Sequence, residues 1–429
     1  MANTFLSLYL ISILIRPMDW WQPLLGFELV TIGAILIILT GFPMLIARIA
    51  IVWKAIPQVK ISILFLAAVA VSPLTRFWAG GALNVLNDFG KVIIFYLLII
   101  LIVRSPKEYS TILFAFLLCT TWLAIHSIMQ HHLGYGFGGQ PPLLRKINNK
   151  GESVYQAVAY GTFDDPNDLC VILVVALPIL FSQVKGSQNF LLKISSLVGI
   201  PLTIYAIWCT NSRGGIVAIF GMIVAAILTY TKGISRYIII AIAALTVTVL
   251  APSRFSGGAF AGRDRELLWG EGLNMFKSNP LFGVGFGNFN SNTSEHLVAH
   301  NTFVHTLAEN GLAGYLPFFL LIYLTIAQLR RLLTFKKMLR PNEYGLLFAM
   351  NAALIGYLTG LYFISRQYQH IFYVIIGLVV VIVYIISEKN GLLQQVFGPT
   401  RKDFRQGTLM GLGSIVFMWA VIRLVNLVT

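Results

Sequence analysis

Apolar runs of about twenty residues recur along most of the chain, separated by short basic loops, and no other feature constrains the fold as strongly. A helix needs about 20 residues to cross a hydrocarbon core of ~30 Å. Backbone polar groups in lipid must all be paired, so the runs form helices or a closed barrel. They show no alternation of period two, which argues against a barrel. Of the 429 residues, 57% are hydrophobic and 11% charged, too few charges to cover a surface facing water on all sides. The fold class read from this is an all-α, polytopic helical membrane protein with about 12–13 transmembrane helices, in one integral membrane domain over residues 1–429.

The expected spans are Phe5–Ile15, Leu24–Arg48, Ile61–Val71, Ala82–Val103, Tyr109–Met129, Asp165–Phe181, Phe190–Cys209, Ile216–Tyr230, Tyr237–Leu250, Asn301–Gln328, Tyr344–Ile364, Ile371–Ile386 and Leu409–Val425. The first and third are short enough to be half-spans. The start, MANTFLSLYLISILIRP, has neither a basic n-region nor a small-residue cleavage site, and reads as a retained first span. Cys119, Cys170 and Cys209 fall inside apolar runs, away from any metal-binding spacing, and read as core residues.

Lys and Arg in the short loops set the orientation. Arg330, Arg331, Lys336, Lys337 and Arg340 form the clearest cytoplasmic cluster. Alternating outward from it, Lys232/Arg236, Lys185/Lys193, Arg104/Lys107 and Arg48/Lys54/Lys60 also fall inside. Attraction to anionic lipid explains this inner surplus. It does not explain the arginines left on the outer side. Three outer segments stand out: a first loop over 131–164, the turn TNSRGG, and a long loop over 251–300. A single helix from Phe190 to Tyr230 would measure about 60 Å, twice the bilayer, so it must break. Asn211 to Gly215 supply the break.

The chemistry-bearing residues lie in these outer segments. Arg213 starts a helix; it reads either as an interfacial arginine or as a fork of donors for phosphate oxygens, helped by the free N–H groups of the helix start. Arg263 and Arg265 read as a solvated face paired with Asp264 and Glu266, or as a second grip on a pyrophosphate. Arg265, Trp269, Gly272 and Phe276 recur at helical spacing before Asn279-Pro280, which implies a helix along the interface. GVGFGNF has the letters of a phosphate-binding loop, but no strand precedes it. His300 faces the loop, while His305 and Glu309 share one face of the next helix. Each histidine reads as an interfacial hydrogen-bonder or as a base. Near two cations an imidazole stays neutral, which suits a base. Asp164, Asp165 and Asp168 in FDDPND could hold a metal, but Asp165 is favoured as a helix cap.

Taken together, SRGG at an outer helix start, R-x-x-x-W followed by NPLFGVGFGNF, HNTFVHTLAENGLAGYL re-entering the membrane, and GTFDDPNDL before a span resemble the bacterial O-antigen ligase and polymerase superfamily. The resemblance covers roughly Gly161 to Tyr315. It implies a metal-independent, inverting glycosyltransferase without cofactor, in the bacterial inner membrane with its site on the periplasmic side. The donor it implies is a glycan on undecaprenyl pyrophosphate. The acceptor is lipid A–core in the ligase branch, or another lipid-linked repeat in the polymerase branch. The partners are thus these lipids and the bilayer, with no nucleic acid. By the same resemblance Arg213 and Arg265 hold the pyrophosphate, with Arg263 as the alternative to Arg265, and His300 takes the acceptor's proton. Trp269, Asn301 and His305 are expected to line the substrate, although His305 is outside the family's histidine position. Aromatic candidates for stacking a sugar are Trp269, Phe286 and Phe289. A transporter of lipid-linked sugars and a non-catalytic scaffold remain as alternatives.

Overall fold

The computed structural model describes residues 1–147, 153–187, 189–231, 260–398 and 401–428, and their side chains except at 145–147, 230, 260–264 and 424–428. Among these residues the chain is a helical bundle. In order its helices are α1 (Ala2–Ile15), α2 (Leu29–Ala55), α3 (Pro57–Leu74), α4 (Ala79–Ile102), α5 (Pro106–Leu133), α6 (Pro166–Gly186), α7 (Phe190–Cys209), α8 (Arg213–Tyr230), α9 (Phe260–Ser278), α10 (Thr302–Thr334), α11 (Pro341–Gly360), α12 (His370–Lys389), α13 (Leu393–Phe397) and α14 (Arg401–Val428). Nine helical segments among the described residues are long and apolar enough to cross a membrane, and two shorter apolar helices, α1 and the greater part of α8, accompany them. Every span expected from the sequence has a helix, except Tyr237–Leu250, which lies outside the described residues. The third span is not a half-span: α3 runs for 18 residues.

The helix ends follow local chemistry. Ser105 starts α5 with a capping box, its hydroxyl accepting from the Glu108 N–H. Asn189 caps α7, accepting from the N–H groups of Leu191 and Leu192. The expected break after α7 is present: Asn211 turns through φ 51°, and the Ser212 hydroxyl accepts from the Gly215 N–H at 3.0 Å. In lipid no apolar surplus drives helices together, so close approach has to come from small residues. Helices α6, α8 and α11 meet in this way. A Cβ added at Gly215 would lie 2.0 Å from the Cys170 sulfur, and one at Gly221 would lie 2.2 Å from the Thr359 hydroxyl. Helix α12 forms the buried centre, with Phe372 and Tyr373 fully enclosed. Cys119, Cys170 and Cys209 are buried thiols.

Two features depart from the sequence reading. Residues 143–156 include a two-stranded antiparallel hairpin, β1 (Leu143–Ile147) and β2 (Ser153–Gln156), inside a segment expected to be loop. The second departure is in α10, expected as one continuous helix from Asn301 to Gln328. It is broken at Gly311, which adopts φ 55° and ψ −156°. The break frees backbone groups on either side, and the segment 280–285 takes them up. Val284 and Gly285 donate to the carbonyls of Ala308 and Glu309, while Leu312 and Ala313 donate to those of Pro280 and Leu281, all at 2.9 Å. Non-helical backbone at such depth is stable only when protein groups satisfy it. The glycines of PLFGVGFG therefore form a clasp rather than a phosphate loop. A Cβ at Gly283 would sit 2.3 Å from the Glu309 carbonyl carbon.

Candidate active site

The turn between α7 and α8 is fixed from three directions. The Gln156 side chain of β2 donates to the carbonyls of Thr210 and Asn211, each at 3.1 Å. The Ala157 N–H donates to the Cys209 carbonyl at 3.2 Å. The Ser212 hydroxyl donates to Asn167 Oδ1 at 2.7 Å. Asn167 in turn donates to Asp165, whose carboxylate caps α6 by accepting from the Asn167 N–H at 2.7 Å. Arg213, the first residue of α8, is held beside the start of α6 by this chain of bonds.

His300 is held as tightly. Trp269, on α9, donates its indole N–H to the carbonyl of Ala299 at 2.8 Å, just before the histidine. After it, Asn301 caps α10 by accepting from the N–H groups of Phe303 and Val304 at 3.0 and 3.2 Å. His300 itself sits at φ 46°, a conformation that costs a non-glycine residue energy and persists only where the surroundings impose it. Helix α9 packs close to α10: a Cβ at Gly272 would lie 2.7 Å from Val304.

The electrostatics tie these elements together. Burial pushes the His300 imidazole below its ordinary pKa near 6.5, and the Arg265 guanidinium lowers it further; Asp165 pulls the other way, while Arg366 and His305 also lower it. Arg265 is itself lowered by burial and by Arg213, with Asp165 opposing. As guanidinium it nonetheless stays charged. Arg265 thus stands within electrostatic reach of Arg213 on one side and of His300 on the other. Helix α10 runs from beside His300, over 33 residues, to the Arg330/Arg331 end, so His300 lies at the opposite end of the bundle from the basic loop.

Other sequence expectations fare differently. The Arg263 side chain lies outside the described residues. Asn301 is 2% exposed and its oxygen is engaged in the cap, leaving it no free acceptor for substrate. His305 lies on the same face as Glu309, as the spacing requires, and pairs with it at 3.1 Å. Glu309 also accepts from the Phe289 N–H at 3.1 Å and from the Tyr368 hydroxyl at 2.9 Å. This buried web locks α10 to the loops around it. Phe289 is fully buried against the His305 ring and cannot receive a sugar. Trp269 is partly buried with its N–H already used. Asp164 closes the short turn Gly161–Phe163.

One charged residue was missed from the sequence. Arg366, in the short polar break between α11 and α12, donates from Nε and Nη2 to the two oxygens of Asp168 at 2.7 and 2.6 Å. Its backbone N–H donates to the Thr302 hydroxyl at 3.0 Å, and that hydroxyl donates to the Ile364 carbonyl at 2.7 Å. The pair joins α6, the α11–α12 connection and the start of α10. The available signal was an arginine standing alone in the six-residue break SRQYQH.

Residues 198–319, from within α7 to within α10, match the family model described as O-antigen ligase. No curated protein matches the chain. The matched stretch contains Arg213, Arg265, Trp269, His300 and His305, and bears out the resemblance read from the sequence. The chain is an all-α polytopic membrane protein whose residues 198–319 match the model of the O-antigen ligase family.

Proposed function

We propose that the protein is a membrane glycosyltransferase that moves a glycan from undecaprenyl pyrophosphate to an acceptor sugar hydroxyl at the periplasmic face of the bacterial inner membrane. The observation that supports this reading is that Arg265 lies within electrostatic reach of both Arg213 and His300, at the end of the bundle away from the Arg330–Arg340 cluster. The acceptor is a hydroxyl of lipid A–core, in keeping with the ligase description of the matched domain.

The chemistry follows from charge. Transfer breaks the bond between sugar C1 and the pyrophosphate oxygen, and the leaving group takes the electron pair. Fixed guanidinium forks in a half-buried site stabilise that charge more in the transition state than in the ground state. The acceptor hydroxyl attacks C1 from the opposite face, so the configuration inverts. His300, held neutral by burial and by the nearby cations, accepts the hydroxyl proton. Asp168 is engaged by Arg366 and Asp165 accepts from Asn167 through Oδ1, and the proposed mechanism gives stabilisation of the leaving group to the arginines.

The test is transfer by the purified protein, in lipid bilayers, from lipid-linked glycan with and without lipid A–core. Product that appears only with lipid A–core supports the ligase reading. Chain growth on the donor alone assigns the protein to polymerisation instead. Full activity of His300→Ala would refute the general-base role.

A further inference from the structure

Beside the α7–α8 turn lies a cleft that none of the roles above uses. It has a volume of about 700 Å³ and is lined by the end of α5 (Gln130, His131), by Pro141 and Pro142, by Tyr155 of the hairpin, and by Asn211. This is the size range of small-molecule sites. Its walls are built rather than incidental. Gln130 accepts from the Val158 N–H at 2.9 Å and donates to the carbonyls of Gln140 and Pro141 at 3.2 and 3.3 Å. Gln156 fastens the hairpin to the carbonyls of Thr210 and Asn211. One buried glutamine on each side therefore fixes the hairpin against the helix ends.

The lining identifies the ligand class. Tyr155 is 54% exposed, a flat aromatic face lining the cleft with exposed His131 and two prolines, with amide and hydroxyl groups at hand. A ring that stacks on the apolar face of a pyranose, beside neutral hydrogen-bonding groups, suits a saccharide better than a lipid tail. The position identifies which saccharide. Asn211 lines the cleft and is two residues before Arg213, so a glycan whose pyrophosphate lies on Arg213 extends directly over the hairpin.

We propose that this cleft is the subsite for the donor's glycan chain beyond its first sugar, with Tyr155 as its stacking platform. The assignment rests on the glycosyltransferase reading, and the hairpin then selects donors by chain length. The first sugar and the pyrophosphate stay at the arginines, while later sugars bind between Tyr155 and His131.

The experiment uses the full-length protein in nanodiscs and two donors, undecaprenyl pyrophosphate carrying a single sugar and carrying the longer glycan. Tyr155→Ala is expected to raise KM about 5- to 10-fold for the longer donor, the loss of one stacking contact, with a clearly smaller rise for the single-sugar donor. Tyr155→Trp should restore the KM of the longer donor, and His131→Ala should act in the same direction as Tyr155→Ala. Equal effects on both donors, or a change in the KM of the acceptor instead, would overturn the assignment. The soluble glycan released from the donor provides a readout independent of turnover. Saturation-transfer NMR should show it binding to wild-type protein and not to Tyr155→Ala. Binding without any glycosidic bond formed by the wild type would sink the glycosyltransferase reading while sparing the subsite; transfer without length dependence would do the reverse.

Discussion

Arg366 and Asp168 meet fork to fork across 198 residues of sequence, with two hydrogen bonds of 2.7 and 2.6 Å between a nearly buried carboxylate and a partly buried guanidinium. A pair of this kind adds little net stability over an apolar substitute, but removing one partner strands the other. Asp168→Ala should therefore cost about 3 kcal/mol, seen as a lower unfolding temperature in detergent. The double variant Asp168→Leu with Arg366→Met should recover most of that loss. If the single and double variants melt alike, the fork is not what holds α6 to the α11–α12 connection.

Replacing Arg265 by lysine keeps the charge and loses the planar pair of donors. On the proposed mechanism, Arg265→Lys should lower kcat by about 100-fold, as should Arg213→Lys, with membrane insertion unchanged. Unimpaired turnover would mean that the site needs positive charge but not bidentate contact.

The pH dependence has a definite sign. A base works when deprotonated, so kcat/KM should fall as pH drops through the pKa of His300, which burial and Arg265 hold below 6.5. Asp165 works against that lowering. Asp165→Asn removes the opposing charge and can still cap α6, so the acid limb should move to lower pH. A limb that moves upward would place the titrating group elsewhere.

Gly311 and Gly283 occupy backbone positions closed to other residues. An added Cβ would lie 2.5 Å from the Leu281 carbonyl in the first case and 2.3 Å from the Glu309 carbonyl carbon in the second, and both have positive φ. Each alanine variant should destabilise the clasp by at least about 2 kcal/mol, and hydrogen exchange of the Val284 and Gly285 amides should accelerate.

Chelation offers a simple check of how the leaving group is stabilised. With Asp165 and Asp168 engaged by protein groups, transfer should proceed undiminished in EDTA. Loss of turnover that added Mg²⁺ or Mn²⁺ restores would shift leaving-group stabilisation from the arginines to a cation.

The sequence showed what depends on local or linear physics. The break at Asn211 was legible because no bilayer accommodates a 60 Å helix, and His305 with Glu309 because helical periodicity puts them on one face. The stretch that carries Arg213, Arg265 and His300 was legible through motifs spaced along it, and it is the stretch that the family model matches. What stayed hidden depended on distant partners. The Asp168 contact of Arg366 comes from another helix, and nothing near Arg366 announces it. The kink at Gly311 lies in a run with good helical pattern, and exists because segment 280–285 takes over its backbone bonds. The hairpin lies amid glycines and prolines that mark turns without marking strands.

The indole–carbonyl bond from Trp269 to Ala299 has a mechanical consequence. Trp269 stands one helical turn from Arg265 on α9, and Ala299 is joined by a single peptide bond to His300. The cation proposed to grip the departing group and the imidazole proposed to receive the proton therefore belong to one rigid unit. Because Asn301 caps α10 directly after His300, the same bond fastens α9 to the start of that helix, and the reach between cation and imidazole is set by how the two helices pack.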